Sequence, residues 1–395
     1  NAVAGFTYER ADYGGKSMSA TNFPNDITGE FNMQTALNPE ALISNRGQTA
    51  MVSLLGRANY SYKGKYIATA SIRRDGSSRL TVGQQFSNFL SGALAWRMSD
   101  EQFIKDLNFF NDLKLRVSYG QTGNQGVNAY QTKAVLGVAN YPINGSLNSG
   151  FAEVDWRGAL NPNLKWEVTD QFNAGVDMAF LNNRIQLTVD AYYKKTNGLL
   201  QNIPIGSDVG FKNMWINSTG NVTNKGLEMT GKFAAINRDH FKWNIDANIS
   251  FNRNEVQGLN ADAFSDRLWY NADNIFLQRN GYPIGTIFGY VEDGFYDNEA
   301  EVRAEKVYAN ESNGLVTSKI GEIKYRDLNG DGEITTADRT VIGNVNPDFV
   351  FGVTNNLKYK NFTLGIFLQG SVGNDILNAN LMDMKMGNIG NIPQK

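Results

Sequence analysis

The chain has 395 residues, of which 37 are basic and 39 acidic, with no cysteine, one histidine and a mean hydropathy of -0.39. The charges nearly cancel, and no basic cluster is longer than Arg73-Arg74 or Lys194-Lys195, which argues against nucleic acid as a partner. The lack of Cys removes disulfides, thiolate metal sites and Cys nucleophiles, and no apolar run reaches the ~18 residues that a transmembrane helix needs.

Strand signals begin at once. Residues 2 to 10 alternate through Ala2, Ala4, Phe6 and Tyr8. A hairpin follows, with Val52, Leu54, Gly56, Ala58, Tyr60 and Tyr62 leading into a Lys63-Gly64 turn and Tyr66, Ala68, Ala70 and Ile72 leading out. Its opposite face carries Ser53, Arg57, Asn59, Ser61, Thr69, Ser71 and Arg73. Leu90, Gly92, Leu94, Trp96 and Met98 mark another strand, and Leu113, Leu115, Val117 and Tyr119 its partner. Between them, SDEQFIKDLNFFND reads as a Ser/Asp-capped turn of helix.

The clearest stretch is QFNAGVDMAFLNNRIQLTVDAYYKK, residues 171 to 195. Phe172, Ala174, Val176, Met178 and Phe180 share one face of the first arm, and Ile185, Leu187, Val189, Ala191 and Tyr193 share one face of the second. Side chains on a strand alternate, so each arm is oily on one side and polar on the other. A soluble strand has about five or six residues. These arms keep strict alternation for about ten, a length that suits a tilted strand crossing a bilayer. Residues 222 to 236 pair with 241 to 253 in the same style, and residues 349 to 359 pair with 362 to 368, for about eleven strands in all.

Short connections (63 to 65, 99 to 112, 181 to 184, 237 to 240, 360 to 361) alternate with mostly long ones (11 to 50, 75 to 85, 121 to 165, 196 to 221, 254 to 347). Aromatics gather beside the short turns, as Tyr60, Tyr62, Tyr66, Phe180, Phe241, Trp243, Tyr359 and Phe362. A soluble β-sandwich would share the alternation. Strand length, loop asymmetry and an aromatic girdle instead predict an all-β, transmembrane antiparallel β-barrel with long extracellular loops. The 254 to 347 segment is its largest loop insertion. The chain starts at Asn1 without a Met or an apolar leader, so it reads as a piece of a longer protein.

The sharpest local motif is DLNGDGEITTAD, residues 327 to 338. Asp327, Asn329 and Asp331 stand at positions 1, 3 and 5 of an EF-hand-like loop, Gly332 at 6, Glu333 offers a carbonyl at 7, and Asp338 stands at 12. Oxygen ligands in that order suit a structural Ca²⁺, held weakly, near the ~10⁻⁴ to 10⁻³ M of extracellular modules, because Asp338 is shorter than the usual Glu. A plain Asx-rich turn with no ion is the competing account. Catalysis finds little support. His240 sits in a short turn beside Asp239, and the adjacent Glu292 and Asp293 point to opposite faces of a strand, unlike a glycosidase carboxylate pair. Sequons at Asn217, Asn221 and Asn310 carry no weight in a bacterial outer membrane. Tyr141, Trp156, Trp215, Trp269 and Tyr270, in long loops, either stack on sugars, pack against a partner protein or form loop cores, and no residue earns a substrate-binding assignment.

Several stretches resemble the SusC/RagA family of TonB-dependent outer-membrane transporters: NYSYKGKYIATASIRRDGSSRL, LKLRVSYGQTGNQ, NPNLKWEVTDQFNAGVDMAFLNNRIQLTVDAYYKKTNGLL, GNVTNKGLEMTGKF, IGTIFGYVEDGFY and IKYRDLNGDGEITTADRTVIGNVNPDFVFGVTNNLKYKNFTLGIFLQG. The resemblance implies part of a 22-stranded barrel, without its N-terminal plug, TonB-binding segment and closing strands. It implies a Gram-negative outer-membrane location, a SusD-like lipoprotein partner, the TonB complex as power source, and import of oligosaccharides or peptides rather than an enzyme activity. A non-transporting scaffold subunit, with loops that meet other outer-membrane subunits, is the alternative, and a passive porin is a third reading.

Overall fold

The computed structural model describes residues 1–25, 27, 29–134, 136–143, 146–153, 158–264, 275–305, 316–317 and 319–379. The first strands are β1 (Ala2–Thr21), β2 (Asn38–Tyr62), β3 (Tyr66–Ser77) and β4 (Phe86–Arg97). A 3-10 turn (Met98–Asp100) and helix α1 (Gln102–Lys105) lead to β5 (Phe110–Asn124). After the hairpin of β6 (Leu136–Ile143) and β7 (Ser146–Glu153) come β8 (Glu167–Phe180) and β9 (Ile185–Asn197). Next are the short pair β10 (Leu200–Pro204) and β11 (Asn213–Asn217), then β12 (Asn221–Asn237) and β13 (Phe241–Gln257). Small strands β14 (Ala263–Phe264), β15 (Phe276–Gln278), β16 (Thr286–Gly289) and β17 (Glu292–Phe295) precede helix α2 (Glu299–Ala304). They are followed by β18 (Ile323–Tyr325), β19 (Thr340–Asn344), β20 (Phe349–Tyr359) and β21 (Phe362–Val372).

Eleven of these strands make one sheet, in the order β1-β2-β3-β4-β5-β8-β9-β12-β13-β20-β21. Each neighbour is the next long strand along the chain, so the sheet is an up-and-down meander. The expected hairpins are present in register: Tyr62 faces Tyr66, Ala234 faces Asn244, and Tyr359 faces Phe362. Turn chemistry follows local sequence. Lys63 and Gly64 both take positive φ (53° and 68°), as a tight hairpin requires. The β8–β9 turn puts Leu181, Asn182 and Asn183 in the left-handed region together, and Arg184 clamps it by donating to the carbonyls of Ala234 and Ala235.

Two differences from the expected pattern are informative. Residues 11–50 read as a loop, but β1 and β2 stay paired from Ala2–Ala58 to Thr21–Asn38. Beyond Arg10 the run Ala11-Asp12-Tyr13-Gly14-Gly15-Lys16-Ser17-Met18 stops alternating large apolar with polar residues, so the strand leaves no parity signal there. Tyr13 lies over Gly47, its cross-strand partner, covering the backbone that glycine leaves bare. The helical turn is not capped by Ser99 or Asp100. Glu101 is its N-cap and its side chain makes no capping bond to the helix, while Ser99 Oγ donates to Asp112 (3.0 Å).

The chain forms two compact units. One comprises residues 1–95, 118–170 and 196–218, the other 96–117, 171–195 and 219–395. The first has a small core of Leu80, Phe89, Val127, Leu164 and Trp166, joined by Met51, Val168, Leu200 and Trp215. The indole of Trp166 stands edge-on to Phe89 (5.6 Å, 75°) and donates to Gln85 O (2.8 Å). In the second, β14, β15, β16 and β19 form a four-stranded sheet within the 254–347 segment, and Tyr296, Val302 and Val316 form a separate cluster.

Candidate functional site: a two-faced wall and an acidic loop

The working surface is built by alternation. Leu54, Ile72, Leu90, Leu94, Leu115, Val117, Phe172, Leu364 and Leu368 are large, apolar and exposed. Water would not tolerate so much exposed grease on either unit, whereas acyl chains would. The other face is polar and internally bonded. In the first unit Arg73 pairs with Asp75 (2.6 Å) and donates to Ser53 (3.1 Å), while Thr69 donates to Asn59 and Thr169 meets Thr196.

In the second unit the polar face carries a charged network. The Arg116 guanidinium makes a bidentate contact with Asp177 (2.9 and 3.1 Å) and reaches Asp190 (3.0 Å). Thr188 Oγ1 donates to Asp177 (3.1 Å). A fixed fork suits two carboxylates from neighbouring strands. Gly175 makes room for it, since a Cβ there would collide with Asp190 and Arg116. Farther along, Tyr192 donates to Asn252, whose amide donates to Asn224.

The 327–338 loop is closed by its own backbone. Asp327 accepts from Gly330 N (2.7 Å) and Gly332 N (2.6 Å). Asn329 accepts from Asp331 N, and Asp331 from Glu333 N. Asp338 is fully buried, accepts from Leu328, Asn329 and Thr335 N–H groups, and completes a capping box with Thr335. The Thr335 N–H, followed by those of Leu328 and Asn329, holds the Asp338 carboxyl below its usual range, against the opposing effect of burial. Among the described residues no three His, Asp or Glu side chains gather as a metal-binding cluster. Arg339, just past the loop, donates to Phe288 O and lies over the Phe288 ring (5.0 Å).

Of the other residues singled out, His240 is exposed in its turn, and Glu292 and Asp293 are exposed, with Asp293 paired to Arg326. Trp215 packs on a loop core, as one of its readings foresaw. Tyr141 lies in β6, but Trp156, Trp269, Tyr270 and Asn310 lie outside the described residues. The Arg116 network escaped notice because its members are scattered over three strands, and only the shared polar parity of residues 116, 177, 188 and 190 hints at it.

A family model described as TonB dependent receptor-like, beta-barrel, matches residues 1–274. The chain belongs to the TonB-dependent receptor family. TonB-dependent receptor P3 of Formosa agariphila is 35% identical over 98% of this chain and 38% of its own length. TonB-dependent receptor SusC of Bacteroides thetaiotaomicron is 33% identical over 83% of this chain and 32% of its own length. The fold is that of the RagAB peptide transporter, with a TM-score of 0.73 at 22% identity over 94% of this chain and 39% of that one. The SusC/RagA resemblance therefore holds, and the chain spans between 32% and 39% of the length of these three proteins. Such receptors are outer-membrane β-barrel proteins, which accounts for the exposed apolar band.

Proposed function

We propose that the chain supplies wall and outer loops to an energised importer of oligosaccharides or peptides, which works with a SusD-like lipoprotein and draws power from TonB. The observation that carries this reading is the division of one eleven-stranded meander into an exposed apolar face and a bonded polar face, in a chain of this family. The wall's task is to hold hydrocarbon outside and a hydrated lumen inside, while the loops at the long-connection end, on the cell exterior, receive substrate and lid. Side chains such as Arg116, Asp177 and Asp190 line that lumen as fixed, mutually neutralised charge. No covalent chemistry is assigned to any residue.

Uptake of a labelled oligosaccharide or peptide should vanish when the full-length receptor loses its TonB-contacting segment, and the lipoprotein should copurify with the receptor. Retained growth phenotype without uptake would favour the scaffold reading. Plug-free ion conductance by the intact receptor in planar bilayers would favour a porin.

A weak structural Ca²⁺ on the 327–338 loop belongs to the same reading. Each carboxylate oxygen can accept more than one contact, so Asp327 and Asp331 keep capacity beyond their backbone bonds, beside Asn329 and the Glu333 carbonyl. Asp338 is already occupied by three backbone N–H groups and would serve as the loop's staple. Calcium would add cross-links between the two halves of the loop. Calorimetry on the full-length receptor should show Ca²⁺ heat that D331N removes, and no heat on the intact receptor would end the idea.

A further inference from the structure

The β4–β5 connection is unlike the other four short turns, which hold no helix. Within it Ile104 is buried, whereas Phe103, Leu107 and Phe109 are 56%, 59% and 59% exposed. Phe103 lies in α1 and Leu107 in the turn that follows it, held by the bond from Leu107 N to Ile104 O (3.2 Å). The neighbouring side is polar: Gln102 donates to Asp106 (2.8 Å), next to Lys105.

Phe103 and Phe109 join the wall's oily face through ring contacts. Phe103 lies 6.4 Å from Trp96, an apolar-face residue of β4 whose indole donates to Glu101 (3.3 Å). Phe109 lies 5.5 Å from Phe180, the last apolar-face residue of β8. The adjacent β8–β9 turn touches the same region, since Asn183 N donates to Asn111 (3.3 Å). That turn presents Leu181, 60% exposed, from a left-handed backbone that side chains rarely adopt.

We propose that these two turns form an interfacial foot: Phe103, Leu107, Phe109 and Leu181 lie in the boundary between acyl chains and headgroups of the phospholipid leaflet at the short-turn end. The occupant is lipid because the patch is continuous with a surface that already faces lipid, and because a polar side flanks it, as in helices that lie in a membrane plane. The inference rests on the outer-membrane reading above. A foot of this kind would fix the depth of the wall beside β4, β5 and β8.

The test uses the full-length receptor in phospholipid bilayers with single nitroxide labels, any cysteine outside this chain having been removed. Labels at F103C, L107C and L181C should collide with oxygen several-fold more than with a water-soluble nickel chelate, relative to labels at Q102C and K105C on the polar side. A label at L115C reports the wall. Equal chelate access at 103, 107 and 102, with 115 in lipid, overturns the foot alone; chelate access at 115 as well overturns the membrane reading and the foot with it. F103W, which preserves an aromatic ring, supplies a second readout: fluorescence at this position, measured against the unsubstituted receptor, should be quenched by brominated acyl chains, and quenching by aqueous acrylamide alone contradicts the proposal.

Discussion

At the scale of single residues, charge on the polar face is held by partners rather than by water. Arg116 serves two carboxylates, so R116A leaves Asp177 and Asp190 facing one another with a shared deficit. The three side chains are partly exposed, which places the cost between that of surface and buried pairs, about 1–2 kcal/mol. Urea unfolding of the full-length receptor should show it, and R116A with D177N and D190N should recover much of the loss. Asp338 responds to pH instead. Its carboxyl is depressed on folding, so it stabilises the loop above the ordinary carboxylate range and loses that contribution as pH falls through its lower folded value. The protection of the Leu328, Asn329 and Thr335 amides relative to their intrinsic exchange should fall on acidification, and D338N should flatten that response; protection constant through the acid range contradicts it.

At the scale of elements, the two sides of a strand should answer differently to the same change. Arg in place of Leu115, on the apolar side of β5, costs about 2–4 kcal/mol near the bilayer midplane. Arg in place of Thr188, on the polar side of β9, should fold with little loss of yield. The heat-modifiable gel shift of the receptor measures both, and equal effects would contradict the assigned faces. Under the long connections, Leu164 is almost wholly enclosed, so L164A should cost about 2–5 kcal/mol and loosen Trp166 and its bond to Gln85. Protection of the Trp166 indole against exchange reports that change.

At the scale of the molecule, a sheet that begins at β1 and ends at β21 leaves two rows of backbone groups without partners among the described residues. In hydrocarbon each unpaired group costs several kcal/mol. The 395-residue chain alone should therefore aggregate or fail to insert, while the full-length receptor gives a compact, heat-modifiable band in the same lipid. Stable insertion of the chain alone as a monodisperse species would show that its edges find another way to close.

Alternation by itself determined the eleven strands of the main sheet, their hairpin turns and the split into oily and polar faces, because a side chain's face depends only on residue parity and burial on that face demands one chemistry, whereas the shorter strands outside that sheet carry too few alternations to be read. The inner ends of the 171–195 hairpin, at Phe180 and Ile185, were therefore legible, while β8 starts earlier, at Glu167, and β9 runs on to Asn197. Parity says nothing where apolar and polar residues stop alternating, and β1 beyond Arg10 lay hidden for that reason. Nor does it say which polar residues on separate strands will meet. The Arg116 fork, the burial of Asp338 beneath its own loop and the joining of Phe103 to Trp96 were decided by tertiary structure, since each needs chain segments brought together by folding.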